Sequence, residues 1–365
     1  MKENNLLYVD VHVLQTVPPS CINRDDTGSP KTASYGGVTR ARISSQAWKR
    51  AMRMMFRENY PFEKLAERTL KIIDMVADEI RSIGDIDNPE KAAENVLSHA
   101  GLKIRSIDKG TGALFFMSSA QAQALAKLVV LEGAGADKVP KEVQEKAKRS
   151  LRESPGIDIA LFGRMVADDP SLNTDASAQV AHSISTHRVT NEYDYFTAVD
   201  DRAPEDTAGA GHIGTVEFNS ATLYRYATIA VHELEKQLGD DTAMAVVEFV
   251  RAFALSMPTG KQNTFANRTT PEMILVTIRN NQPVNLVGAF ERPVIANDSG
   301  YIIPSAARLV EQAKKIYHDF AGEPVASLVT GALLSELGSP VSFDELLENL
   351  RHNIDTNRGS LGERL

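Results

Sequence analysis

Leu7-Tyr8-Val9-Asp10-Val11-His12-Val13-Leu14-Gln15 sets Leu7, Val9, Val11 and Val13 against Tyr8, Asp10, His12 and Leu14, the period of a strand with one face inward. Pro18-Pro19 marks its end. The residues that follow to Thr39, rich in Asn, Asp, Gly, Ser and Pro and containing Gly36-Gly37, read as a long loop, and loops of that length tend to carry function. Ser44 or Ser45 then offers an oxygen to cap a helix from about Gln46 to Arg57. In that helix Trp48, Met52 and Met55/Phe56 face a core, while Lys49, Arg50 and Arg53 face elsewhere. Strand, loop and helix are contiguous. From Arg24 to Arg53 they gather Arg24, Lys31, Arg40, Arg42, Lys49, Arg50 and Arg53 against Asp25 and Asp26, a local +5 in a chain whose net charge is -8.

That local excess outweighs the total. A net charge of -8 argues against a protein coated all over in nucleic acid, because phosphate binding is driven by Lys and Arg releasing condensed counterions. It leaves room for one basic surface. With 365 residues, 42% of them hydrophobic, the chain can bury a large core. Cys21 is the only cysteine, so there is no intrachain disulfide and a reducing cytoplasm is expected. The first ten residues turn polar before a signal-peptide core could form, and no run reaches the length of a membrane span; a soluble, unexported protein without membrane association is expected.

Between about Pro61 and Pro155 the period becomes helical, with Ala66, Leu70, Ile73, Ala77 and Ile80 on one stripe and a second apolar helix around Gln121 to Leu131. This predicts an all-helical insertion. Its end, Lys138 to Arg152, carries a local +4 with Lys138, Lys141, Lys146 and Lys148; a solvated helix face and a nucleic-acid contact fit it equally well. Ile157 to Gly163 reads as a strand. Tyr193 to Val199 and Gly214 to Ile229 alternate on either side of a polar Gly/Ala/Pro/Asp segment, as an extended hairpin with a flexible tip would. Helices are expected at Val231–Leu238, Thr242–Met257, Pro304–Asp319 and Phe343–Asn353. Met273 to Ile278 suits a central strand buried on both faces. The order of elements predicts an α+β fold with insertions and no internal repeat.

The catalytic motifs fail on context. Gly209-Ala210-Gly211-His212-Ile213-Gly214 has the spelling of a dinucleotide loop but neither follows a strand nor opens a helix, and Gly260-Lys261 lacks both the upstream glycine and the hydroxyl residue of a phosphate loop. His182 and His187 are spaced wrongly for one helical face and read as structural. Asp25-Asp26 and Asp200-Asp201 could each hold a magnesium ion for phosphodiester cleavage, although loop aspartates more often bond their own backbone. No cofactor is expected.

Ser20-Cys21-Ile22-Asn23-Arg24-Asp25-Asp26, Tyr35-Gly36-Gly37 and Arg42-Ile43-Ser44-Ser45-Gln46-Ala47-Trp48-Lys49-Arg50-Ala51-Met52-Arg53 together resemble the CasC (Cse-type) backbone subunit of the type I-E CRISPR Cascade complex. Further likeness lies in Gly156 to Met165, in Ser185-Thr186-His187 through Phe196-Thr197-Ala198-Val199-Asp200-Asp201, and in Tyr224-Arg225-Tyr226-Ala227. The likeness covers most of the chain and weakens across the helical insertion and toward the C-terminus. It implies a right-hand architecture: a modified RRM/ferredoxin-like palm, helical fingers and a β-hairpin thumb. On this chain that gives palm at 1–59, fingers at 60–155, palm at 156–187, thumb at 188–214 and palm at 215–365.

The resemblance further implies a non-enzymatic subunit. Copies of it would stack head to tail along a CRISPR guide RNA, each thumb displacing one base, with the intervening bases left for pairing to target DNA. Its partners would be the small, large, 5'-handle-binding and guide-processing Cascade subunits, and a recruited helicase-nuclease would cut the target. Arg24, Lys31, Ser44, Gln46, Lys49 and Arg50 match positions that hold the guide backbone, and Arg53 is an addition to them. Met165 and Thr197 match contacts flanking the displaced base, with a core role for Met165 as the competing reading. Lys138, Lys141, Lys146 and Lys148 fall near a fingers helix that touches target duplex. The alternative is a metal-dependent RNase like the type III backbone relatives, using Asp25 or Asp26. A protein with no nucleic-acid role would make the basic segment accidental.

Overall fold

The computed structural model describes residues 6–106, 110–166, 169–198, 202 and 212–362. The chain divides into two compact units, one of residues 1–52, 180–228 and 247–365, the other of 53–179 and 229–246.

The first unit is built on a large sheet in which the strand Tyr8–Ser20 is central. On one side it pairs antiparallel with Met273–Arg279, from Tyr8 opposite Arg279 to Leu14 opposite Met273, and Met273–Arg279 pairs in turn with Ala326–Thr330. On the other side the order runs through His212–Ala230, Ser183–Ser185, Val38–Ile43 and Thr32–Tyr35. Met273–Arg279 is buried at every position, as its unbroken apolar run predicts. The first strand departs from expectation, because it is buried on both faces from Val9 to Gln15. Asp10 and His12 are tolerated there because they are bonded. Tyr226 donates its hydroxyl to Asp10 Oδ1 at 2.9 Å, Val284 N–H donates to Asp10 Oδ2 at 2.8 Å, and His12 Nδ1 lies 2.9 Å from the Tyr224 hydroxyl. The strand also runs through Pro18 and Pro19. Both are exposed and lie beyond the last pair with Met273, so no bond of that ladder is lost to them.

The expected loop to Thr39 is half sheet. Thr32–Tyr35 and Val38–Ile43 form a hairpin around Gly36 and Gly37, with φ of 60° and 76°, the left-handed pair that a tight two-residue turn requires. A side chain at Gly36 would also strike the Glu291 carbonyl. The second hairpin forms as predicted, Glu192–Ala198 pairing with the start of His212–Ala230, from Glu192 opposite Phe218 to Ala198 opposite His212. Its tip, with Asp200, Asp201 and Gly209 to Gly211, lies outside the described residues. Below the sheet, Tyr224, Leu286, Phe290, Leu309 and Tyr317 pack in a core closed by the helix Ile302–Ile316.

The second unit packs the helices Ile72–Ile83, Pro89–His99, Ser119–Glu132 and Lys141–Ser150 around Ile73, Val76, Ile80, Leu97, Leu125 and Val129. It is not all helical: Ala66–Thr69 pairs with Phe115–Ser118, and Ile104–Ser106 with Gly110–Thr111. The segment expected as a strand is the helix Ile157–Phe162, whose first five residues are all buried. An element without a wet face has no apolar period to read.

Candidate nucleic-acid interface

The basic segment is held by backbone bonds at both ends of its loop. Lys31 N–H donates to the Asn23 carbonyl at 2.9 Å, Arg42 N–H donates to the Lys31 carbonyl at 2.9 Å, and Asn23 Oδ1 accepts the N–H of Ser44 at 2.9 Å. The loop is thereby tied to the hairpin and to the start of the helix Ser45–Asn59. Ser44 is the cap: its Oγ accepts Ala47 N–H at 3.3 Å, and the residue is only 6% exposed. Trp48, Met52 and Phe56 are fully buried. Trp48 Nε1 donates to Ser183 Oγ at 2.9 Å, and the Arg225 guanidinium lies 3.7 Å over the indole ring. These contacts fix the rotation of the helix, which leaves Gln46 and Arg50 exposed.

The seven cations of the segment separate into two groups. Arg40 is completely buried and donates to the carbonyls of Tyr35, Ser185, Phe290 and Glu291 at 2.8–3.3 Å. Arg42 donates to Thr32 O at 3.1 Å and to His182 Nδ1 at 3.1 Å. Arg53 donates to Asp158 Oδ2 at 3.1 Å and stacks 4.4 Å from the Phe116 ring; burial pulls its guanidinium pKa down, and Asp158 opposes that. Arg40 and Arg53 are internal fixtures, and Arg42, half-buried, is tied to its own hairpin and to His182. Arg24, Gln46 and Arg50 are exposed, with Lys31 and Lys49 half-buried, on the loop and the first turns of one helix.

Asp25 serves its own loop. Its Oδ1 accepts from Thr27 N at 3.0 Å, Thr27 Oγ1 at 2.7 Å and Ser29 N at 3.0 Å, which holds the carboxyl below its ordinary range, chiefly through Thr27. His187 is likewise structural. Its Nε2 accepts Thr222 N–H at 3.1 Å, which makes Nδ1 the donor to Arg188 O at 2.8 Å, and the ring stacks 3.6 Å from that of Tyr301.

Met165 is no core methionine: it is 85% exposed. Its neighbour explains why. Arg164 is buried and donates to Leu172 O, Phe116 O, Gln121 Oε1 and Leu151 O, while its backbone pairs with Thr174 in both directions at 2.9 Å. That anchor turns the next side chain outward. Thr197 is exposed on the hairpin, opposite Ile213. Of the four lysines singled out on the second unit, Lys146 bonds Glu132 at 2.8 Å and Lys148 bonds Asp169 at 2.7 Å. Lys138 and Lys141 are exposed, as are Arg149 and Arg152 on the same stretch. Asn23 escaped sequence reading, since nothing local marks an asparagine that bonds a residue twenty-one positions away.

The family model described as CT1975-like protein matches residues 9–349. A solved structure described as a CRISPR RNA-guided surveillance complex, pre-nicking, contains a chain 31% identical to this one. The match covers 95% of this chain and 99% of that one, with a TM-score of 0.81. A second, described as a CRISPR RNA-guided surveillance complex, is 27% identical with the same coverage and a TM-score of 0.63. A search of curated proteins returns no significant match.

Proposed function

Since the chain belongs to the CT1975-like protein family, we propose that it is the multi-copy backbone subunit of a Cascade-type surveillance complex, of the type I-E kind its motifs resemble, holding guide RNA without reading sequence. The observation that carries this is the sorting of the basic segment. Arg40, Arg42 and Arg53 are bonded within the fold, Arg24 and Arg50 are exposed, and Arg24, Lys31, Lys49 and Arg50 stand on a loop and helix tied together through Asn23 and Ser44. Cations and exposed amides such as Gln46 grip phosphate and sugar and ignore base identity. A guide-holding protein must accept any spacer, so indifference to sequence is required of it. The similarity to chains of RNA-guided complexes supports the same reading.

In this proposal the sheet unit is an RRM-like palm, the hairpin at Glu192–Ala198 is the thumb, and Met165 and Thr197 each contact a displaced base. Lys138 and Lys141 approach target DNA. Further copies of the chain and the other complex subunits are its partners, in the cytoplasm; among the described residues no helix is long and apolar enough to cross a membrane. The subunit is non-catalytic. Asp25, the candidate metal ligand, already accepts three bonds from Thr27 and Ser29, which favours a turn-forming role over metal chemistry.

The test is binding of the purified chain to unrelated single-stranded RNAs across a salt titration, against the triple variant Arg24→Ala, Lys49→Ala, Arg50→Ala. Equal affinity for unrelated sequences is expected, with a slope reduced by roughly two to three phosphate contacts in the variant. A wild-type chain that ignores RNA, even after co-expression with a CRISPR array, overturns the proposal. Regular cleavage of complementary RNA in Mg²⁺ that depends on Asp25 or Asp26 overturns its non-catalytic part.

A further inference from the structure

The turn after the helix Thr242–Leu255 lies against the basic loop although some 240 residues separate them. A Cβ on Gly260 would fall 2.0 Å from Ile22 O and 2.8 Å from Cys21 O, so backbone meets backbone there and only glycine fits. The surface hollow bounded by Ile22, Arg24, Asp25 and Gly28 has Gly260 as its far wall. The next residue, Lys261, has a φ of +51°, and Ala266, at the other end of the short turn Gln262–Phe265, has +46°. Left-handed backbone at a lysine and an alanine costs free energy that the surroundings must offset.

The surroundings are firm. Lys261 O accepts from Thr264 N at 3.0 Å and Phe265 N at 3.1 Å. Asn267, buried, donates to Gly260 O at 3.5 Å, and the Phe265 ring packs 5.7 Å from Phe218. Gln262, Asn263 and Thr264 are exposed. The Cys21 thiol, pushed up by burial, is pulled back by both Arg24 and Lys261, so the two cations share one neighbourhood.

We propose that Gly260–Thr264 is a second element binding the phosphodiester backbone of single-stranded RNA, with Lys261 neutralising a phosphate beside Arg24, and Gln262 and Asn263 donating to phosphate or sugar. This site rests on the RNA-binding reading above. Neither Gly260-Lys261 as a failed nucleotide loop nor the basic segment by itself points to it. It arises because Gly260 lets the lysine be delivered to the edge of the loop.

The experiment is the same salt titration with the full chain and an unrelated RNA, on Lys261→Asn, Arg24→Gln and, as an exposed control elsewhere, Lys315→Gln. Asparagine tolerates positive φ, so Lys261→Asn removes charge and leaves the turn in place. Lys261→Asn is expected to lower the slope by about 0.7, the value of one contact to a single strand, and to leave the urea midpoint near wild type. Lys315→Gln should change neither. A normal slope in Lys261→Asn alongside a reduced one in Arg24→Gln overturns this site and leaves the RNA-binding reading standing. An equal loss in Lys315→Gln overturns it too, as a general charge effect. Absence of RNA binding by the wild type overturns both.

Discussion

Asn23 Oδ1 accepts the backbone N–H of Ser44 at 2.9 Å, and through it the loop that carries Arg24 is fastened to the helix that carries Lys49 and Arg50. Asn23→Ala leaves a buried donor unpaired and should cost about 1–2 kcal/mol. It removes no charge. RNA affinity should therefore fall at an unchanged salt slope, because the same cations reach phosphate once binding has drawn the loop back into place. Urea unfolding and the salt titration read the two effects separately, and an unchanged RNA affinity would remove Asn23 from a positioning role.

Arg50 and Arg53 are three positions apart and should behave oppositely. Arg53→Ala strands the buried Asp158 carboxylate, and breaking such a pair costs roughly 3–5 kcal/mol, with no effect on the RNA slope once the protein is folded. Arg50→Ala should leave the unfolding midpoint nearly unchanged and lower the slope by about 0.7. Equal slopes in the two variants would contradict the division of the basic segment into fixtures and contacts.

Acid should destabilise the first unit through His12. Burial holds its imidazole at a pKa of about 3, well below its usual 6.5. A base depressed on folding binds its proton better when unfolded, so its contribution is full above about 6.5 and is lost as pH falls toward 3. Asp10 opposes this, since burial raises its carboxyl to about 6 and folding then favours the protonated acid between pH 6 and 4. His12→Gln should flatten the acid limb of the stability profile, while Asp10→Asn should steepen it. Urea midpoints at pH 6.5, 5.5 and 4.5 decide the matter, and parallel profiles in all three proteins would refute it.

On the second unit, Lys141 and Lys148 differ in what holds them. Lys148 is paired with Asp169, whose carboxyl that bond pulls down to about 2; Lys141 is exposed. Lys138→Gln with Lys141→Gln should weaken duplex-DNA retention by assembled complexes and reduce its salt slope, and Lys148→Gln should do so less. Filter binding at several salt concentrations measures both. A larger loss from Lys148→Gln would mean that its ion pair opens to take up DNA.

Local pattern determined much of this protein. The first and central strands, the basic helix with Trp48, Met52 and Phe56 inward, and the hairpin at Glu192–Ala198 follow from period and turn chemistry, which act between near neighbours. Where local pattern was silent, tertiary structure decided. Ile157–Phe162 folds as a helix because an element buried on every side carries no period. Arg24 and Arg40 are the same residue in the same run, yet Arg40 is enclosed by the carbonyls of Ser185, Phe290 and Glu291, from strands and turns hundreds of residues away. Gly260 meets the loop at Cys21 and Ile22 only because tertiary packing brings these distant segments together. Charge is written in the sequence, but whether a charge is spent inside or offered outside depends on long-range partners that no local window contains.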